Sequence, residues 1–366
     1  TIQSAIDAVP TGTTFSQPHT IIVAAGTYPE RLQIVNKLGT ATDRLTIQAS
    51  GGPVIVEGAT SLTSWSQCLG NVWSTTYALS AEPSAEYVSE QVWVGETRCK
   101  YKGSADDCLN LGPYEYYYAP GSQELFVNAG GGSPGAQGAY VSTRLSGIEI
   151  DNSHYVIIDG LSVVRSKDKG IRVFGESENR NEGVTINNCT SAYHWRHGVY
   201  LEYTSNCSVV DSRTHHNARH GIYLYRTDHA TVRGNESYRN DDPTVLGIAG
   251  NMTGIKVGDE APDDTTNRSD VEYVTVDYNI AHDNEDSGID LKSARQVLVR
   301  RNVSYRNGDH GSDNNNTSAT TFMNNVSVRN DHDGMSIEST SENVGIFNCV
   351  FAGNTINPNT LNSPGR

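Results

Sequence analysis

The chain has 366 residues and a formal net charge of −15, because 42 Asp and Glu outnumber 27 Lys and Arg. This acidity argues against nucleic acid as a partner, since nucleic-acid-binding proteins need a basic face. No run of about 18 apolar residues is present, so no membrane span is predicted. The low hydrophobic share of 36% and the 35 glycines favour many short strands and turns. One repetitive all-β domain can have this length.

The first predicted element is a short amphipathic helix. In TIQSAIDAV, the apolar residues Ile2, Ala5, Ile6 and Val9 share one helical face. A helix with such a face is suited to capping the open end of a solenoid. The next segments, TIIVAAGTYPERLQI and LTIQASGGPVIVEGA, predict the first coils.

Residues 66–140 interrupt the coils and predict a side module of β-hairpins. The segments QVWVGETRCKYKG and GPYEYYYAPGSQELFVNAG have strand-like aromatic faces. The tyrosines at 114–118 are suited either to stacking on sugar rings or to packing the module. Cys99 and Cys108 are close enough for a disulfide, and two buried thiols are the alternative. The six cysteines contain no CxxC pair, so a zinc or redox motif is not expected.

A repeat of 23 residues follows the module. Glycines that precede short apolar segments recur every 23 residues, or at longer intervals with insertions such as residues 241–251 and 259–270. These glycines are Gly170, Gly198, Gly221, Gly254, Gly288, Gly311 and Gly334. A fixed period of this length is typical of solenoids, in which each repeat is one coil.

Two sets of polar residues keep the same period. The first is Ser212, Asn235, Asn279, Asn302 and Asn325, and the second is Asn217, Asn240, Asn284, Asn307, Asn330 and Asn354. Amides stacked from coil to coil can hydrogen-bond along the stack and satisfy one another in tight turns. The pattern predicts an all-β right-handed parallel β-helix, a single domain over residues 1–366. The phrase AAGTYPE resembles an opening phrase of the pectate-lyase-like β-helix superfamily, which implies the same fold.

Strand alternation predicts which side chains lie outside the coils. After each glycine the first and third residues are mostly aliphatic, so the second residue is expected to face solvent. This outward row is Arg172, Tyr200, Tyr223, Lys256, Asp290, Asp313 and Ser336. Adjacent coils are about 4.8 Å apart, so four aspartates from two coils are expected in one patch. They are Asp286, Asp290, Asp309 and Asp313.

Four neighbouring carboxylates raise one another's pKa values unless a cation neutralises them. Calcium accepts oxygen ligands in irregular geometry and is therefore the cofactor predicted for this aspartate patch. The alternative is that the aspartates cap turns by accepting hydrogen bonds from backbone amides.

The segment Asn284–Asp290, NEDSGID, resembles the NSDDGWD phrase of family 9 polysaccharide lyases, which are calcium-dependent pectate lyases on this fold. The resemblance implies that Asp286 and Asp290 bind calcium. The match is partial, because Ser287 and Thr253 stand where the family has two further aspartates. The family's catalytic lysine is also absent from its expected position.

These residues predict a polysaccharide lyase that cleaves a uronic-acid polymer by calcium-assisted β-elimination. In this reaction a cation stabilises the developing enolate and a base removes the proton beside the carboxylate. Lys256 is the predicted base, with Lys292 as the alternative. Arg219 and His220 are the predicted catalytic partners that bind the adjoining sugar. The predicted substrate-binding residues are Arg196, His197, Tyr200, Tyr223, Lys292, His310 and Glu338.

Three other functions are possible on this fold. A glycoside hydrolase would use one protonated and one ionised acid, here Asp290 with either Asp313 or Glu338. An epimerase would use His197 or His220 as a base. A carbohydrate-binding surface solenoid would need no catalytic residues, although the clustering of charge around the later glycines argues against it.

The expected substrate is an anionic polysaccharide, and the expected protein is a secreted or extracytoplasmic monomer. The sequons at Asn235 and Asn302 fall in the asparagine ladder, where a glycan would not fit, which favours a bacterial origin. The chain starts at Thr1 and stops inside a repeat, which predicts boundaries within a longer protein.

Overall fold

The computed structural model describes residues 1–78, 91–102, 110–240, 252–259 and 271–355. Its main body is a stack of coils in which parallel strands of successive coils form two sheets, one of 10 strands and one of 18 strands. The predicted right-handed parallel β-helix is confirmed. Within the described ranges, no helix has the length and apolar character that crossing a membrane requires.

The first sheet carries the outward row and has one strand in each coil. Its strands are Leu32–Val35, Ser146–Asp151, Lys169–Phe174, Val199–Ser205, Ile222–Asp228, Ile255–Gly258, Ile289–Lys292, Ser312–Asn315 and Met335–Glu338, with Asn181–Glu182 beside them. Neighbouring strands are parallel, and Val199 pairs with Ile222, 23 residues later. The sequence period is therefore the length of one coil.

The second sheet forms the other sides of the coils and contains two rows of strands. Two long strands, His19–Tyr28 and Leu45–Glu57, belong to both rows. The first row continues with Val156–Asp159, Thr185–Asn187, Ser208–Val210, Thr231–Arg233, Thr275–Asp277, Leu298–Arg300, Thr321–Met323 and Gly345–Phe347. The second row continues with Leu161–Val164, Thr190–Ala192, Arg213–His215, Glu236–Tyr238, Ile280–His282, Val303–Tyr305, Val326–Val328 and Val350–Ala352.

Aliphatic side chains fill the inside of the coils. Ile171, Val199, Ile222, Ile255 and Ile289 pair in succession at one inward position, and each is at most 1% exposed. Because neighbours in a strand point to opposite faces, the residue after each of these lies on the outer face of the first sheet.

The predicted N-terminal helix is formed by Ile2–Asp7. The hydroxyl of Thr1 caps it by accepting a hydrogen bond from the backbone N–H of Ser4 at 3.0 Å. Ile2 and Ile6 are buried and join the aliphatic core of the coils. The helix therefore closes the N-terminal end of the solenoid.

Buried asparagines from Asn217 to Asn330 form a ladder in the turns before the later strands of the first sheet. The side-chain oxygen of Asn307 accepts the backbone N–H of Asn284 at 3.2 Å and its side-chain amide at 2.9 Å. Asn330 makes the same two contacts with Asn307 at 3.1 and 2.9 Å. A second ladder joins Ser212, Asn235, Asn279, Asn302 and Asn325. Each ladder residue thus satisfies polar groups of the adjacent coil.

The described residues between 59 and 142 form two further sheets beside the early coils. One contains Ser66–Leu69, Val72–Thr76, Lys100–Tyr101, Glu115–Ala119 and Glu124–Asn128. The other contains Ala59–Leu62, Val92–Val94, Thr97–Arg98 and Ala139–Ser142, preceded by the short helix Pro134–Gln137. Tyr116 and Tyr118 are buried in an apolar core of this segment, so they pack it. Cys99 is a buried free thiol, and Cys108 lies outside the described residues.

We expect Asn307→Ala to destabilise the coils, because it leaves the buried backbone N–H of Asn284 without its acceptor. An unsatisfied buried polar group costs about 1–3 kcal/mol, so the free energy of unfolding in urea should fall by about that amount. Asp331→Ala is the control, since this aspartate is exposed, and its effect should stay within about 0.5 kcal/mol. Equal effects of the two changes would contradict the ladder's role.

Candidate active site

The first sheet aligns the predicted outward row in register. Arg172, Tyr200, Tyr223, Lys256, Asp290, Asp313 and Ser336 pair in succession from coil to coil. The predicted exposure to solvent is wrong, because Lys256 and Asp290 are each only 1% exposed and Tyr223 is 3% exposed. From Tyr200 to Ser336 the row is buried, and its charged groups must be paired or have shifted pKa values.

A second outward row lies two residues further along each strand. Gly258, Lys292, Asn315 and Glu338 pair in register along it. We call these four residues together with Lys256, Asp290, Asp313 and Ser336 the charged grid. Gly258 is required at its position, because its φ is +112° and a Cβ would lie 1.7 Å from the backbone oxygen of Lys292.

Asp290 lies between two lysines of the charged grid. The ammonium of Lys256 donates a hydrogen bond to Oδ2 of Asp290, and Nζ of Lys292 lies 3.5 Å from the same oxygen. Burial opposes ionisation, but the two lysines outweigh it and hold the pKa of Asp290 below its usual range. The other oxygen, Oδ1, is buried and has no hydrogen-bond partner among the described residues. Asp290 is therefore an ionised carboxylate in which one oxygen accepts no hydrogen bond from the described residues.

Asp313 lies in the next coil and pairs with Asp290, and its pKa is shifted in the opposite direction. It is 8% exposed, and burial together with the charges of Asp290 and Glu338 raises the pKa of Asp313 to about 8. Its Oδ1 also has no hydrogen-bond partner in the described part of the chain. Near neutral pH, the charged grid thus presents an ionised and a protonated carboxyl side by side.

The other two predicted aspartates flank the charged grid. Burial, followed by the charges of Asp290 and Asp309, raises the pKa of Asp286 to about 6. The hydroxyl of Thr253 donates to Oδ2 of Asp286 at 3.3 Å. Asp309 Oδ1 lies 2.8 Å from Nδ1 of His332. The four aspartates are therefore neighbours in different electrostatic environments.

The residues present do not fit the predicted calcium site. Among the described residues, two groups of three His, Cys, Asp or Glu side chains bring their ligand atoms within 4.8 Å of one another. One is Asp309 with His310 and His332, and the other is His310 with Asp313 and Glu338. Neither group contains Asp286 or Asp290, and two lysines already neutralise Asp290. In His310, Nδ1 accepts the backbone N–H of Asp333 at 3.3 Å, so the neutral ring carries its proton on Nε2.

Aromatic side chains continue the surface toward the earlier coils. The rings of His197 and His220 stack with centroids 5.2 Å apart, and those of Tyr200 and Tyr223 lie 5.1 Å apart. Nδ1 of His220 accepts the backbone N–H of Thr253 at 3.2 Å, so Nε2 of the neutral ring is protonated and is not a base. Burial, followed by the charge of His220, holds the pKa of His197 well below its usual range.

A pocket of about 220 Å³ opens beside these rings. It is lined by Lys169, Arg196, His197, Tyr200, Arg219, Tyr223, Tyr225 and Asp259. Asp168 pairs with Lys169 at 2.7 Å and with Arg196 at 3.5 Å. The three basic residues outnumber Asp168 and Asp259, so the pocket region is formally positive in an acidic protein.

The predicted site residues fall into two zones. The charged grid contains Lys256, Asp290, Lys292, Asp313 and Glu338, with Asp286, Asp309 and His310 beside it. The pocket contains Arg196, His197, Tyr200, Arg219 and Tyr223, and the ring of His220 stacks on that of His197. Sequence reasoning misses Asn315, Tyr225 and Asp259. Extending the strand alternation by one more step identifies Asn315, whereas Asp259 borders an insertion and follows no repeat.

A family model described as right handed beta helix region matches residues 140–262 and 248–362, together more than half of the chain. The chain therefore belongs to the right-handed β-helix family, and the expected superfamily fold is confirmed. A search of curated proteins gave no match.

Solved structures share the fold at low sequence identity. XylC, solved in complex with xylose, has a TM-score of 0.74 at 14% identity, and the alignment covers 95% of this chain and 66% of XylC. A protein described as a glycoside hydrolase has a TM-score of 0.53 at 11% identity, with 93% and 90% covered. Pectate lyase Pel9A has a TM-score of 0.45 at 15% identity, with 95% and 72% covered. The chain thus spans just under two thirds of the length of XylC, and the likeness shows the fold alone.

We expect calcium to leave the protein's stability unchanged, because Lys256 and Lys292 already neutralise the central carboxylate. The melting temperature after chelation with EDTA should equal the value in excess calcium chloride. Magnesium chloride at the same concentration controls for ionic strength. A rise in melting temperature with calcium but not with magnesium would contradict this expectation.

Proposed function

We propose that the protein is a glycoside hydrolase that cleaves a polysaccharide with retention of anomeric configuration. The supporting observation is the pair Asp290 and Asp313, which occupy one register position in adjacent coils and have pKa values shifted in opposite directions. Glycosidases need such a pair, with one carboxyl ionised and the other protonated. The protein described as a glycoside hydrolase is a precedent for this reaction class on the fold, and XylC was solved with a bound sugar.

Each carboxyl has one role in each half of the proposed reaction. Asp313 donates its proton to the glycosidic oxygen while the bond from that oxygen to the anomeric carbon breaks. Oδ1 of Asp290 attacks the anomeric carbon and forms a covalent glycosyl ester. Asp313, now ionised, takes a proton from water, and the water oxygen displaces Asp290 from the sugar. Both carboxyls then regain their starting protonation states.

The spacing of the coils supports retention. Adjacent parallel strands lie about 4.8 Å apart, and retaining glycosidases hold their carboxyl groups about 5–5.5 Å apart. Glu338 lies two coils from Asp290 and two residues further along its strand, so the backbones of the two residues are roughly 12 Å apart. A pair of Asp290 with Glu338 would leave room for a water molecule and invert the anomeric centre. The stereochemical outcome therefore distinguishes Asp313 from Glu338 as the second acid.

We infer that the substrate is an anionic polysaccharide met outside the cytoplasm. The formally positive pocket lies on the same outward row as the charged grid, toward the earlier coils. A neighbouring sugar of the same polymer can bind in this pocket. Nδ1 of His197 lines this region, is buried and has no hydrogen-bond partner among the described residues. Since one chain contains both carboxyls, we propose that the protein acts as a monomer.

Elimination from a uronic-acid polymer is the second candidate function. It is favoured by the pKa of Lys256, which burial lowers although Asp290 opposes the shift. The hydrogen bond from Lys256 to Asp290 argues against it, because only an unprotonated lysine can remove a proton from the sugar. Elimination creates an unsaturated product that absorbs ultraviolet light, whereas hydrolysis creates new reducing ends without that absorbance.

Substitution of the two carboxyls tests the proposed hydrolysis. Asp313→Asn should lower kcat on a natural polysaccharide by about 10²–10⁴, and Asp290→Asn should reduce turnover to the background. Reducing ends report the rate, and proton NMR of the first product should show the retained anomer. Asp331→Asn is the matched control, because Asp331 is exposed. Full activity of Asp290→Asn would refute the assignment.

The pH dependence of kcat/KM should follow the two shifted carboxyls. Asp313 must be protonated, so activity should fall as pH rises through about 8. Asp290 must be ionised, so activity should persist below the usual pKa of an aspartate. Glu338→Gln removes a charge that raises the pKa of Asp313, and the basic limb should therefore move to lower pH. A basic limb that stays in place would count against Asp313 as the acid.

A further inference from the structure

We propose that Lys256 is a positioning residue for the nucleophile: its ammonium binds Oδ2 of Asp290 from the preceding coil, which leaves Oδ1 to attack the sugar. This inference rests on the proposed glycosidase function. It goes beyond that function, because it assigns Lys256 to the orientation of a carboxylate and not to the removal of a proton.

The contact between Lys256 and Asp290 is part of the sheet itself. The two residues pair in register, so the spacing of adjacent coils sets the distance between their backbones. Both side chains are 1% exposed, and water therefore has little access to the ion pair. Removal of one partner from a buried ion pair leaves an uncompensated buried charge, which strongly destabilises the folded protein.

Lys292 provides a second cation near the same oxygen of Asp290. It lies two residues after Asp290 in the same strand, with Nζ 3.5 Å from Oδ2 of Asp290 and 12% of its side chain exposed. Both cations therefore approach one oxygen of the carboxylate, while Oδ1 has no hydrogen-bond partner among the described residues. This asymmetry distinguishes an oriented carboxylate from one that is merely neutralised.

The two lysines take the place that the sequence predicts for calcium. A divalent cation would bind the carboxylate through its oxygen lone pairs and would need further oxygen ligands. An ammonium needs only acceptors, and Lys256 reaches Oδ2 of Asp290 from its own strand. The charged grid can therefore fix Asp290 with its own side chains.

A comparison of leaving groups tests the role of Lys256 in catalysis. Lys256→Met should lower kcat/KM by about 100-fold, as expected for a misplaced catalytic group, while KM changes little. The loss should be the same for aryl glycosides with good and poor leaving groups, because the attack by Asp290 is impaired in both. Asp313→Asn should instead recover with the good leaving group, which needs no proton. Recovery of Lys256→Met in the same way would overturn the proposal.

Two further lysine variants separate charge from geometry. Lys256→Arg keeps the cation and should restore part of the lost rate. Lys292→Met removes the more distant lysine and should cost less than Lys256→Met, since its Nζ is 3.5 Å from the oxygen and partly exposed. An equal or larger loss for Lys292→Met would overturn the assignment of the positioning role to Lys256.

A stability cycle tests the ion pair without any substrate. Lys256→Met should lower the urea midpoint of unfolding. The double variant Lys256→Met with Asp290→Asn should recover part of it, because the carboxylate that loses its buried lysine is then replaced by a neutral amide. Lys100→Met, an exposed lysine, is the control. A double variant no more stable than Lys256→Met would overturn the pairing. A chain that shows the coupling but hydrolyses no glycan would instead overturn the proposed function.

Discussion

The in-register pairing of coils is the constraint on which the rest of this structure depends. Residues at the same position of the repeat stack about 4.8 Å apart. The neighbours of each side chain are therefore the residues at that position in the adjacent coils. Inside the coils this produces the aliphatic core, in the turns it produces the asparagine ladders, and on the outer face it produces the charged grid. Lys256 and Asp290, 34 residues apart, are in contact for this reason alone.

The same constraint forces like charges together and makes their environments unequal. Asp290 and Asp313 are identical residues at one position of the repeat, yet Asp290 has a lysine in the preceding coil whereas Asp313 has acidic neighbours. Burial strengthens both interactions, because water no longer screens them. Position in the stack therefore decides which carboxyl is ionised and which is protonated.

Membership of the right-handed β-helix family accounts for the scaffold and leaves the chemistry to the side chains that cover it. The segment Asn284–Asp290 resembles a calcium-binding phrase of family 9 lyases, but Lys256 and Lys292 surround its last aspartate. Short phrases of this kind describe a turn and the following strand. The partners of their side chains come from other coils, so a matching segment does not by itself indicate the same function.

The sequence by itself determined the 23-residue coil, the N-terminal helix, the asparagine ladders and the order of the outward row, because periodicity and strand alternation are local properties. It also placed Asp290 beside Asp313. Only the tertiary structure showed that Lys256 is buried and bound to Asp290, and that Nδ1 of His220 accepts a backbone N–H. Alternation specifies the face of a sheet on which a side chain lies. Its burial, partner and protonation depend on groups that other coils bring to that face.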